Sequence, residues 1–129
     1  GLGARLEVAG SSTVANNDVL LTVHNLPQNS MGYFVNSPDA PFTILQPGGS
    51  VGDLCIASFS QGRHSMNVLD SGAGGAVALA LDLTQIPQPN GTASILAGST
   101  WSWQYWYRDI DGSGMTVSNF SSARRVIFN

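Results

Sequence analysis

The residues with the most chemistry on offer lie between positions 98 and 114. Gly98-Ser99-Thr100-Trp101-Ser102-Trp103-Gln104-Tyr105-Trp106-Tyr107-Arg108 reads as one aromatic strand, whose side chains alternate between two faces. Trp101, Trp103, Tyr105 and Tyr107 then share one face, and Ser102, Gln104, Trp106 and Arg108 the other. The first row has a structural use, because each large ring buries about 150–250 Å² when it anchors a sheet's core. The second row has a chemical one. An indole set on an exposed face stacks on a sugar ring while neighbouring amide and guanidinium groups bond the hydroxyls. Trp106, Gln104 and Arg108 are therefore the leading ligand-binding candidates, with Trp101 and Trp103 as further rings of the same strand.

Asp109-Ile110-Asp111-Gly112-Ser113-Gly114 follows at once. Its Asp, Asp, Ser and Gly fall at positions one, three, five and six of a calcium-binding loop, so Asp109, Asp111 and Ser113 are candidate metal ligands. Calcium is the one cofactor this pattern would suit. The twelfth position is Phe120, where such a loop needs a bidentate Glu, and Asp-Gly is equally the strongest short signal for a hairpin turn. Asp53, Asp70 and Asp82 are acids that a fold would have to bring in from afar.

Constellations for catalysis are sparse. His24 and His64 are the only histidines, too few for the His-rich shells of most catalytic zinc sites. Gly62-Arg63-His64-Ser65 sets a serine beside a histidine, yet neighbours on a strand point to opposite faces, and no Gly-x-Ser-x-Gly elbow occurs. Glu7 and seven mostly turn-placed aspartates do not make an acid pair for glycoside hydrolysis. No catalytic residue is assigned. Cys55 is alone, between Leu54 and Ile56, and reads as a small core residue that cannot form a disulfide within this chain.

The elements that must position these groups are strands. Leu2, Ala4, Leu6 and Val8 alternate, as do Val19, Leu21 and Val23, with Leu20, Thr22 and His24 opposite. Turn formers Asn16-Asn17-Asp18 and Leu26-Pro27-Gln28-Asn29-Ser30 bracket the second of these. Further strands are expected at 31–35, 42–45, 54–57 and 66–69. Val77, Leu79, Leu81 and Leu83 line one side of another, after the glycine-rich 70–75, which reads as a hairpin connection. Gln88-Pro89-Asn90-Gly91 opens a loop, and 125–128 closes the chain. About nine short strands at roughly 8–12-residue spacing predict an all-β fold, an antiparallel β-sandwich of Greek-key or jelly-roll type, as a single domain over 1–129.

Composition narrows the function. Of 129 residues 43% are apolar and 10% charged, against about 25% charged in an average soluble domain, and the net charge is −3. All five basic residues are arginine. Such a chain offers no basic face for nucleic acid, and no run of ~20 apolar residues for insertion into a membrane. Lysine-free strands lack a common guard against edge-to-edge pairing, so other domains of a larger protein, or further copies of the chain, are expected against its edges.

Val14-Ala15-Asn16-Asn17-Asp18, Leu26-Pro27 with Gly32, Gly52-Asp53-Leu54-Cys55, Ser71-Gly72-Ala73-Gly74-Gly75 and Leu81-Asp82-Leu83-Thr84 form one set with the sharper Gln104-Tyr105-Trp106-Tyr107-Arg108-Asp109 and Val126-Ile127-Phe128. Together they resemble a family of C-terminal domains of large secreted proteins in planctomycetes and other environmental bacteria. The resemblance implies an exported, extracellular or cell-surface location and attachment to other modules. It implies no activity. Members tend to carry a second cysteine near the C-terminus, where this chain has Phe128-Asn129. The combined expectation is a non-catalytic extracellular binding module, for a polysaccharide or cell-envelope glycan. A structural or self-assembly and sorting domain is the alternative, and a small metal-dependent enzyme the third reading.

Overall fold

Where the sequence alternates, burial alternates with it. The computed structural model describes residues 3–38, 61–110 and 113–129. Expected strands at 42–45 and 54–57, together with Cys55, Asp53 and Asp111, lie outside the described residues.

Strands β1 (Arg5–Ala9), β2 (Leu20–His24) and β6 (Val77–Ala80) form a three-stranded antiparallel sheet with β2 in the middle. Pairing of Leu6 with Val23, Val8 with Leu21 and Leu21 with Leu79 puts one apolar row on a single face. A second sheet of six strands is built around β9 (Thr100–Ile110). On one side β9 pairs with β3 (Met31–Ser37), whose far side takes β4 (Gly62–Arg63) and β5 (Leu69–Asp70). On the other it pairs first with β11 (Arg124–Ile127) and then, further along, with β10 (Thr116–Phe120). β7 (Ile86–Gln88) and β8 (Gly91–Ala93) make a separate hairpin.

The two larger sheets face each other across one core, in which Leu6, Leu21, Val23, Leu81 and Leu83 meet Phe34, Trp101, Trp103, Tyr105 and Phe128. This is the antiparallel β-sandwich that the alternation predicts. Eleven strands are described rather than about nine. The added ones are short, or polar like β10, and carry no period-two signal of their own.

Three local expectations change. Residues 70–75 do not close a hairpin; they carry the chain from β5 in the large sheet to β6 in the small one. Of the strand expected at 66–69 only Leu69 pairs, and Met66 is 94% exposed. Pro89 and Asn90, expected to open a loop, turn the β7–β8 hairpin. The turn-forming Asn17 and Asn29 behave as read, and Asn25 joins them. Asn17, Asn25 and Asn29 are the three described non-glycine residues with positive φ, a conformation that Asn tolerates better than most residues. Asn17 ends a single 3-10 turn at Val14–Asn16, and its Oδ1 accepts from the Leu83 amide at 2.8 Å.

Candidate functional site

Strand β9 decides where the aromatic side chains go. Its pairing with β3 sets Phe34 beside Tyr105 and Tyr33 beside Trp106, so alternate residues of both strands share a face. Gly32 lets the strands meet. A Cβ built there would lie 2.3 Å from the Trp106 carbonyl oxygen and 2.8 Å from the Tyr105 ring.

The inner row is core. Trp101 and Trp103 are 5% and 0% exposed, with ring centroids 6.4 Å apart, and Phe128 meets Trp103 edge-on at 6.1 Å. Tyr105 stacks on Tyr107 at 6.1 Å and packs against Phe34 at 4.8 Å. Burial pushes the Tyr107 hydroxyl up to about 12, with the nearby Asp109 adding to it. Trp101 and Trp103 are thus corrected as ligand-binding candidates. The three-stranded sheet covers their faces, and no sugar reaches them in the folded protein.

The outer row divides in two. Ser102 and Gln104 are fully buried, and the Gln104 amide donates to the Ser121 carbonyl at 2.7 Å. Gln104 is corrected as an exposed donor for the same reason: a central strand is covered on both faces here, so a polar residue in the outer register is not thereby in water. Past Gln104 the face opens. The half-buried Trp106 ring lies 5.1 Å from Tyr33, tilted by 41°. The Arg108 guanidinium sits 4.8 Å above the indole centroid, and its Nη1 donates to Ser118 Oγ at 3.3 Å. Phe120 pairs opposite Trp106 across β10.

Further along the same face, Met31 and Ile110 are 46% and 67% exposed. With Pro27, Arg108 and Thr116 they line an open groove of about 270 Å³ that continues the aromatic row. Of the residues singled out in the sequence, the structure therefore keeps Trp106 and Arg108 together at the surface. Tyr33, Phe120 and Met31 complete the patch. They escaped sequence reasoning because cross-strand register, which alone makes them neighbours of β9, leaves no mark on one strand.

The proposed calcium ligands are less well joined. Asp109 lies on the opposite side of β9 from Arg108; its Oδ2 accepts from Asn119 Nδ2 at 3.1 Å and its Oδ1 from the Ile110 amide at 2.8 Å. Ser113 is exposed in the turn between β9 and β10, and Asp111 is outside the described residues. Among the described residues no three acids, histidines or cysteines gather in metal-binding geometry.

The histidines are separated as well. His24 is exposed on β2 of the small sheet, with Nε2 3.9 Å from Glu7. His64 is buried just after β4, where Asn36 Nδ2 lies 2.9 Å from its Nε2. An amide N–H can only donate, so Nε2 accepts and the ring is neutral. Desolvation lowers the His64 pKa to about 4. The cavity beside it, about 170 Å³, is lined by Asn67, Leu79, Asp82, Gln85 and Pro87 among others. Asp82 is held below its ordinary value by the Thr84 hydroxyl and amide and by Asn17.

No protein-family model and no curated protein matches the chain. Among the described residues no helix is long and apolar enough to cross a membrane.

Proposed function

We propose that the outer face of the large sheet is a non-catalytic platform for a polysaccharide chain, carried on an extracellular or cell-surface protein with further domains. One observation carries the reading: a half-buried indole, flanked by Tyr33 and capped by an exposed Arg108, lies on a sheet face that runs on into an apolar groove. Aromatic rings that are both exposed and fixed present flat apolar surface to the C–H face of a pyranose at little entropic cost, and the adjoining hydroxyl and guanidinium donors suit its oxygens. The β9–β3 pairing makes the platform rigid, as a binding surface without induced fit requires.

Affinity electrophoresis and pull-down against cellulose, xylan, chitin, peptidoglycan and polygalacturonate test it. The protein should be retarded by at least one polymer, and Trp106→Ala should abolish the retardation while leaving the unfolding transition in place. Absence of binding to every polymer overturns the reading.

Self-assembly is the second reading, favoured by the exposure of Met31 and Ile110 along the same groove. It predicts mass growth in light scattering as concentration rises, without glycan. The platform reading predicts a constant mass.

A further inference from the structure

Among the described residues three arginines share one face, and their placing bears on which sugars the platform takes. Register places Arg63 beside Val35, Arg125 beside Ser102, and Arg108 two residues beyond Trp106, so three of the five arginines share the outer face of the large sheet. All three are exposed.

The described carboxylates are engaged with other partners. Glu7 faces His24 on the small sheet. Asp18 accepts from the Ser11 amide, Asp70 from the Gly72 amide, Asp82 from Thr84 and Asp109 from Asn119. Asp70, opposite Met31, shares the outer face, and Asp109 lines the same groove as Arg108 while bonded to Asn119. Among the described residues none forms an ion pair with an arginine. Among the described residues, Arg63, Arg108 and Arg125 therefore stand on this face with no carboxylate paired to them.

Arg108 is the one of the three that adjoins the platform's indole. Its guanidinium is held over the Trp106 ring and tethered by a single neutral hydroxyl, Ser118 Oγ. A guanidinium presents five N–H donors in a fixed fork. With its carbon fixed over the indole, the donors not used by Ser118 face solvent at the rim of the platform. Such a fork matches a carboxylate bidentately, and the ring contact and the Ser118 bond orient it beforehand. A neutral sugar can accept from the guanidinium through its hydroxyl oxygens but leaves that charge without a counterion.

We infer that the platform selects an acidic polysaccharide, one whose sugars carry carboxylates, with Arg108 as the residue that sets the selectivity. The inference rests on the platform reading above and narrows it to one ligand chemistry.

Polygalacturonate and its methyl ester separate the two, because esterification removes the charge and keeps the backbone. Titration calorimetry at low salt should give binding to the acid at least about tenfold tighter than to the ester, the difference expected of one charge-assisted contact. The preference should shrink as sodium chloride is raised through the range where the screening length falls below about 10 Å. Arg108→Gln should weaken the acid far more than the ester and so close the gap between them, whereas Trp106→Ala should weaken both in like proportion. Arg108→Lys, which keeps the charge and loses the fork, should fall between, and circular dichroism of each variant checks that the fold is intact. Equal binding of acid and ester, or an acid preference untouched by Arg108→Gln, overturns the inference and leaves the platform standing. Binding to neither overturns the inference, and the remaining polymers of the panel above then decide the platform reading.

Discussion

A buried imidazole shows most directly how one residue's chemistry depends on its surroundings. His64 stays neutral because burial penalises its charged form and because Asn36 points an N–H donor at Nε2. The link extends through Asn36 Oδ1, which accepts from Gln88 Nε2 at 2.7 Å, so the histidine, β3 and the β7–β8 hairpin share one polar contact. The folded-state pKa of about 4 is below the ordinary value of 6.5. Between those two values the unfolded chain binds a proton that the folded one refuses. Stability from this group is thus complete above about pH 6.5, falls as the pH drops, and is gone below about pH 4, with roughly 3 kcal/mol at stake. His64→Gln keeps an acceptor for Asn36 and cannot titrate. Urea unfolding at pH 7, 5.5 and 4 should show a shallower acid loss in the variant than in the parent. Parallel curves would place the titrating group elsewhere.

At the scale of elements, the meeting of β3 and β9 is the joint on which both the core and the proposed platform depend. Its tightest point is Gly32, held against the Trp106 carbonyl and the Tyr105 ring. Gly32→Ala forces the strands apart or tilts the tyrosine, and a loss of about 1–3 kcal/mol is expected, read as a lower urea midpoint with an unchanged slope. Because the Trp106 backbone moves with the joint, glycan binding should weaken in the same variant. The same pair of strands shows what a sequence can and cannot declare. Alternation in β1, β2, β6 and the inner row of β9 was legible because one face of each is apolar and buried, which is the condition for a period of two. Outer-row Ser102 and Gln104 were misleading, since polar identity says nothing of burial on a central strand. β4 and β5 have two residues each, too few for any period. β7 contains Pro87, which reads as a strand breaker until the strand turns out to belong to a two-stranded hairpin. For the site, Trp106 and Arg108 were visible as chemistry two residues apart on one strand. Tyr33, 73 positions away, was not, because only folding supplies the register that joins them.

For the whole molecule, two phenylalanines eight residues apart separate what holds the sandwich from what it displays. Phe128 is 1% exposed, meets Trp103 edge-on, and stands where the chain's last strand is tied to earlier segments: its amide donates to the Ser99 carbonyl at 2.9 Å, and its carbonyl accepts from the Gly98 amide at 2.9 Å. The next residue, Asn129, bonds Ser12 and Val14 in the same way. Phe120, by contrast, packs on the outer face beside Val35 and borders the aromatic patch. Emptying the Phe128 site leaves a cavity in the layer between the sheets, so Phe128→Ala should cost about 3–5 kcal/mol. Phe120→Ala removes a ring that already touches water, and its cost should stay below about 2 kcal/mol, since partial exposure scales down the area lost. Binding should order them the other way. Phe120→Ala should lower affinity for an acidic glycan at a temperature where the variant is fully folded, while Phe128→Ala, assayed in the cold well below its own midpoint, should bind as the parent does. A variant pair in which stability and affinity fell together would mean that core and platform move as one body, and the outer face would then owe its shape to the inner packing and not to the β9–β3 register.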